Sequence, residues 1–212
     1  MTPPATGHSP LATVFLLDDE PGMLKALTRL LKAEGFTVRG FTDAKTFLES
    51  YRAEELSCLV LDVAMPELNG LELQQRLTHM GVLLPIVFLT GHGDIPMSVQ
   101  AIKAGAVDFL TKPVKDDDLL RAVRAALKRA ADQRDLISEA ASLQQRYSLL
   151  TPREREVMEH VVAGQLNKQV AADLGTGEQN IKMHRARVME KMGVESLADL
   201  VRAAERLGVG GK

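Results

Sequence analysis

Between residues 13 and 114 the chain alternates short apolar runs with segments whose apolar residues recur every three or four positions. The runs 14–17, 38–41, 58–61, 86–89 and 107–110 are too short for independent helices and end in punctuation or polar residues, so they predict five strands. Between them, Met23, Leu24, Leu27, Leu30 and Leu31 fit one face of a helix, with weaker versions at Leu71, Leu73 and Leu77 and at Ile95, Val99 and Ile102. Gly35, Gly81 and Gly105 stand where those helices would end, as caps that need a positive φ. Nearly continuous apolar strands separated by helices imply a parallel sheet covered on both faces by right-handed crossovers. The pattern predicts a small doubly wound α/β domain.

After Pro113 the rhythm changes. Asp116, Asp117 and Asp118 precede a run without Gly or Pro that lasts until Thr151-Pro152, and three carboxylates suit the start of a helix. Leu120, Val123, Leu127, Ala130, Ile137 and Ala141 keep an approximate three-four spacing there. Two readings of this long helix stay open: a connecting helix packed on one side, or a short dimeric coiled coil. From Thr151 onward only helices are predicted, over 152–163, 167–174, 178–192 and 196–206. The first opens with a capping box, Thr151-Pro152-Arg153-Glu154, with Pro at the first helical position. The second and third, joined across Gly175-Thr176-Gly177, have the spacing of a helix-turn-helix.

The 212 residues leave room for two small domains, and 45% apolar with 25% charged residues is an ordinary soluble globular composition. One cysteine, Cys58, excludes an internal disulfide and a cysteine-based zinc cluster. No stretch approaches the roughly 20 apolar residues of a membrane span. The opening MTPPATGHSP lacks a charged segment and a long apolar core, so it reads as a leader and not as a secretory signal. A cytoplasmic location without a membrane partner is expected. The formal net charge of -2 hides a local basic face, since four of the six charged residues of 178–192 are Lys182, Arg185, Arg187 and Lys191.

Candidate chemistry concentrates at strand ends. In an open parallel sheet ligands sit beyond the C-terminal ends of the strands, where the strand order reverses. Asp18 and Asp19 follow the first strand and Asp62 follows the third, and in a flavodoxin-like order these two strands flank the switch point. Three mutually repelling carboxylates there invite a hard divalent cation, and Mg²⁺ is the natural choice. Thr90 closes the fourth strand and Lys112 the fifth, offering a hydroxyl and an ammonium to phosphoryl oxygens.

The runs LLDDEP, LDVAMP, FLTGHGD and FLTKPV, in this order and spacing, resemble the receiver domain of two-component response regulators, over residues 12–127. The resemblance implies Asp62 as the phosphoacceptor, Asp19, Asp62 and the Ala64 carbonyl as direct Mg²⁺ ligands, and Asp18 acting through a metal-bound water. It further implies that Lys112 pairs with the phosphoryl group, that Thr90 moves to hydrogen-bond it, that Phe109 is the aromatic switch, and that Lys112-Pro113 is a cis peptide. Ala64, two residues after Asp62, is no general acid-base partner for rapid hydrolysis, so a phosphoacceptor switch is expected rather than a turnover enzyme. A Mg²⁺-dependent phosphohydrolase with an aspartate nucleophile is the alternative.

In the basic helix, Ile181, His184, Val188 and Met192 recur at core spacing, with His184 read as a packed, hydrogen-bonded core histidine. Gln179, Asn180, Lys182, Met183, Ala186 and Arg187 are left outward. The segment LTPREREVMEHVVAGQLNKQVAADLG, continuing through IKMHRARVMEKMGVESLADLVR, resembles the LuxR-type helix-turn-helix, and the whole chain resembles FixJ-like members of the NarL/FixJ family. The likeness implies base-edge contacts from Lys182, Met183, Ala186 and Arg187, with Lys168, Asn180 and Lys191 near phosphates. Thr176 and Gly177 depart from the usual apolar residue and Ser or Thr cap before the recognition helix, and Asn180 replaces a common Thr.

The fold class expected is thus α/β plus all-α: a flavodoxin-like doubly wound receiver over 11–130, a helical linker over 131–147, and a four-helix LuxR-type domain over 148–212. The resemblance implies a sensor histidine kinase, double-stranded DNA, a second copy of the chain on phosphorylation, and RNA polymerase as partners. A DNA binder independent of phosphorylation is the other alternative.

Overall fold

The computed structural model describes residues 12–53, 56–91 and 95–210, so the leader expected at residues 1–10 lies outside the described residues. The chain divides into two compact units, one through Arg134 and one from Asp135.

The first unit is a parallel sheet of β1 (Thr13–Leu17), β2 (Thr37–Phe41), β3 (Ser57–Asp62), β4 (Ile86–Thr90) and β5 (Asp108–Thr111), in the order β2-β1-β3-β4-β5. Alternate strand residues feed two separate cores, as a sheet covered on both faces requires. Phe15, Leu59, Leu61 and Phe88 point to one side, where Phe47 of α2 (Ala44–Ser50), Leu73 and Leu77 of α3 (Gly70–His79) and Ala101 of α4 (Ile95–Lys103) cover them. Val14, Leu16, Val60 and Leu89 point to the other, under Leu27 and Leu31 of α1 (Pro21–Ala33) and Leu119, Val123 and Leu127 of α5 (Asp116–Ser148). Each fully buried Leu or Phe in these layers contributes about 1.5–3 kcal/mol.

The apolar pattern did not signal α2. Its seven residues are too few to show a period, and it is started by the Asp43 side chain, which accepts from the Thr46 N–H at 2.7 Å. Asp62 proves to be the last residue of β3 and not the first after it. The long run after Pro113 is one 33-residue helix, α5, and the division between the units falls within it, inside the stretch 131–147 expected as a linker. Its apolar stripe does not stay in register: Leu136 and Ile137 are exposed, and the side chains that pack into the second unit are Leu143 and Tyr147.

The second unit joins that end of α5 to α6 (Pro152–Val162), α7 (Asn167–Asp173), α8 (Glu178–Met192) and α9 (Leu197–Leu207). Thr151 and Glu154 form the expected capping box at α6. Val157, Met158, Val170, Ile181, Val188, Met192 and Leu200 make the core. Gly175 turns the chain from α7 toward α8 at φ 60, a left-handed conformation that glycine adopts without steric cost. Among the described residues no helix is long and apolar enough to cross a membrane.

Candidate functional site

Register builds the acidic site. Leu17 pairs with Leu61 across the β1–β3 ladder, so Asp18, the next residue, comes beside Asp62 at the switch point of the sheet. One oxygen from each of Asp18, Asp19 and Asp62 lies within 4.8 Å of the others. Asp18 and Asp62 are buried, at 1% and 3% exposure, so water does not screen their repulsion fully.

Lys112, following β5, reaches over β4 to this cluster. Its Nζ lies 2.8 Å from Asp18, 3.3 Å from Asp62 and 3.9 Å from Glu20. Its backbone N–H donates to the Thr90 carbonyl at 2.7 Å, and the Lys112–Pro113 peptide is cis. Burial raises the Asp62 carboxyl above the usual carboxylate range, with Lys112 pulling against it and Asp18 adding to it. For Lys112 burial works downward, but the hydrogen bond and charge of Asp18, with those of Asp62, outweigh it and the shift is upward.

Thr90 ends β4 and is buried, one residue beyond Leu89, the partner of Asp62 in the β3–β4 ladder. Phe109 is half-buried, its ring 6.0 Å from that of Phe88 at the edge of the first core. The sequence reading missed Gly70. A Cβ there would lie 2.5 Å from the Asp62 carbonyl oxygen and 3.1 Å from Phe88, so only glycine lets α3 start against the end of β3. It also missed the Asp18–Lys112 pair, which no local spacing reveals across 94 residues.

These residues fit a hard divalent cation. The donor set is all oxygen, and Asp62 Oδ1 is buried without a hydrogen-bond partner among the described residues, an acceptor left open inside a negatively charged pocket.

In the second unit the outward face of α8 carries Gln179, Asn180, Lys182, Met183, Ala186 and Arg187, all exposed, with Met183 at 43%. Lys168 on α7 is exposed too. Among the described residues Lys182 pairs with its helical neighbour Glu178, at 3.6 Å, and Asn180 donates to the Thr176 hydroxyl at 3.1 Å. Lys191 is tied to the fold: its Nζ donates to the buried Glu154 at 2.6 Å and to the Leu149 carbonyl at 3.1 Å, with the side chain one-third exposed. His184 is half-buried, but its buried Nδ1 has no hydrogen-bond partner among the described residues, so it is not the satisfied core histidine expected.

A parallel sheet with a three-carboxylate, one-lysine cluster at its switch point, followed by a helix-turn-helix, defines a signalling switch joined to a DNA-binding module. Residues 14–124 match the response regulator receiver domain and residues 148–204 match the bacterial regulatory proteins of the luxR family. The chain belongs to the response regulators of the NarL/FixJ type. It is 46% identical over 196 residues to the response regulator protein TodT of Pseudomonas putida, covering 92% of this chain and 86% of that one. To nodulation protein W of Bradyrhizobium diazoefficiens it is 46% identical over 206 residues, 96% of this chain and 91% of that one. Among solved structures, the response regulator StyR matches at a TM-score of 0.83 with 44% identity, over 92% of this chain and 99% of that chain.

Proposed function

We propose that the protein is a cytoplasmic transcription factor whose DNA binding is controlled by transfer of a phosphoryl group from a partner histidine kinase to Asp62. The observation that carries this is the buried Oδ1 of Asp62, without a hydrogen-bond partner among the described residues, beside Lys112 and two further carboxylates. A carboxylate oxygen of Asp62 attacks phosphorus, the phosphorus–nitrogen bond to the kinase histidine breaks, and that imidazole leaves with its electron pair. Lys112 balances charge on the phosphoryl oxygens, and the Thr90 hydroxyl donates to one of them. Asp19, Asp62 and the Ala64 carbonyl would hold Mg²⁺ directly and Asp18 through water; when bound, the ion neutralises charge between the carboxylates and the phosphoryl group. No side chain two residues after Asp62 can activate water, which supports a long-lived phosphoaspartate rather than turnover.

The phosphorylated state favours a dimer through its differential stabilisation of one conformation, with Thr90 and Phe109 as the moving parts. Two copies of α8 then enter successive major grooves. Lys182, Met183, Ala186 and Arg187 read base edges, while Lys168 and Asn180 contact phosphates. RNA polymerase is the downstream partner.

Sedimentation of the full chain with Mg²⁺, with and without beryllofluoride as a phosphoryl mimic, tests this reading. A shift from monomer to dimer that vanishes in Asp62→Asn is expected. Equal sedimentation of the two forms would remove dimerisation as the switch.

A further inference from the structure

The recognition helix is held at its C-terminal end by a side chain that precedes the luxR-family match at residue 148. Arg146, near the end of α5, donates from Nη1 to the Met192 carbonyl at 3.1 Å and from Nη2 to the Ser142 hydroxyl at 3.2 Å. That carbonyl is among the last four that a helix leaves without an internal partner, and a cation beside it suits the helix dipole. The next residue, Gly193, caps α8 at φ 63, and a Cβ there would stand 3.0 Å from Arg146 Nη1. Glycine therefore serves both the left-handed turn and the approach of the guanidinium. The same stretch of α5 is anchored independently, since Leu143 and Tyr147 pack against the core of α6 to α9 and the Arg155 guanidinium lies 5.0 Å over the Tyr147 ring.

We infer that Arg146 is a positioning residue for sequence readout: it sets the direction of α8 without touching DNA, and the last turns of α5 belong to the DNA-binding module. This rests on α8 being the recognition helix. The 15 residues of α8 span about 22 Å, so a pivot of about 5° at Met192 moves the first turn by about 2 Å, beyond what a base-edge hydrogen bond tolerates. Attraction to phosphates is less sensitive to such a tilt than base readout is. Removing the restraint therefore costs discrimination more than overall affinity.

The test uses the full chain with Mg²⁺ and beryllofluoride, and two duplexes: one enriched by the wild type from a randomised library, and its scrambled counterpart. In Arg146→Ala the ratio of affinities for the two falls about tenfold, with scrambled binding and the salt slope unchanged. Arg146→Lys, which can still donate to the Met192 carbonyl, restores most of the ratio. Slowed hydrogen exchange at Gly193 and Val194 in the wild type and in Arg146→Lys, lost in Arg146→Ala with helix content intact, accompanies the effect. Equal losses on both duplexes with a shallower salt slope would make Arg146 a phosphate contact and overturn the inference. So would an unchanged ratio in Arg146→Ala when Lys182→Ala lowers it, and that result leaves the recognition-helix reading standing. If the wild type enriches no sequence, that reading fails and the inference falls with it.

Discussion

Among the described residues two buried carboxylate–lysine sites stand out, and they are balanced in opposite ways. In the receiver domain one ammonium, Lys112, serves Asp18 at 2.8 Å and Asp62 at 3.3 Å, with Asp19 in the same cluster. In the DNA-binding domain Lys191 faces one carboxylate, Glu154, at 2.6 Å, and the same Glu154 oxygen accepts the Thr151 N–H at 2.9 Å. Burial holds the Asp62 carboxyl above its usual range. Burial also pushes Glu154 upward, but the hydrogen bonds from Lys191 and Thr151 outweigh it and the carboxyl stays below its usual range. A surplus of buried negative charge with an open acceptor is capacity to bind a cation and a phosphoryl group, whereas one buried carboxylate matched to one lysine is a restraint on the fold.

Neutralising one carboxyl at each site separates the two balances most strongly. Asp62→Asn is expected to abolish acid-stable, hydroxylamine-sensitive labelling by a small phosphodonor with Mg²⁺, and Glu154→Gln to leave the labelling at wild-type level. Undiminished labelling of Asp62→Asn would move the acceptor elsewhere. On stability the order reverses. Glu154→Gln loses the charge that Lys191 faces, and because Lys191 is one-third exposed it can turn to solvent, so the loss is about 1–2 kcal/mol in the DNA-binding domain. Asp62→Asn relieves repulsion and, without divalent cations, raises the thermal midpoint of the receiver. Chemical denaturation followed by hydrogen exchange in each domain separates the two effects; a destabilised receiver in Asp62→Asn would contradict the surplus-charge account.

A finer test uses pH, again without divalent cations. The raised carboxyl of Asp62 favours the protonated folded state. Its contribution to stability is fully present below the ordinary Asp value of about 3.9 and is lost as pH rises through the higher folded value. The lowered carboxyl of Glu154 contributes above the ordinary Glu value of about 4.3, and that contribution is lost as pH falls through the lower folded value. Acidification therefore strengthens the first contribution and weakens the second. The exchange-derived stabilities around Val60 and Val188 should carry these opposite slopes, each flattened by its own neutral variant. A shared sign that neither variant alters would overturn the assignment of the slopes to these two groups.

The same contrast explains what could be read in the chain before folding. The strands were legible because parallel strands buried on both faces are apolar throughout, and Asp18, Asp19 and Asp62 were legible because strand ends in such a sheet meet at one place. Helix α2 was not, since Phe47 and Leu48 are adjacent and seven residues carry no period. Lys191 read as a surface cation because its partner Glu154 lies 37 residues away, and no helical spacing encodes that meeting. Gly70 was passed over because its necessity comes from the Asp62 carbonyl 2.5 Å from where a Cβ would be, a long-range contact without a local signature.

A smaller change is expected at the start of α8. Gly177 is its N-cap at φ -81 and ψ 147, with no side-chain hydrogen bond to the first turn, while neighbouring Thr176 is occupied by Asn180. Nothing lies within 4 Å of where a Cβ on Gly177 would stand, and this φ suits any residue. A serine hydroxyl there can accept an N–H of the first turn, so Gly177→Ser is expected to stabilise the DNA-binding domain by a few tenths of a kcal/mol. The receiver midpoint should stay fixed, which exchange at Val60 would register. Since a serine cap would also compete with a DNA phosphate for those same N–H groups, the variant separates two uses of one helix end. A gain in stability with unchanged affinity for the enriched duplex means that the first-turn N–H groups serve only the fold, and a gain matched by weaker binding means that they serve DNA.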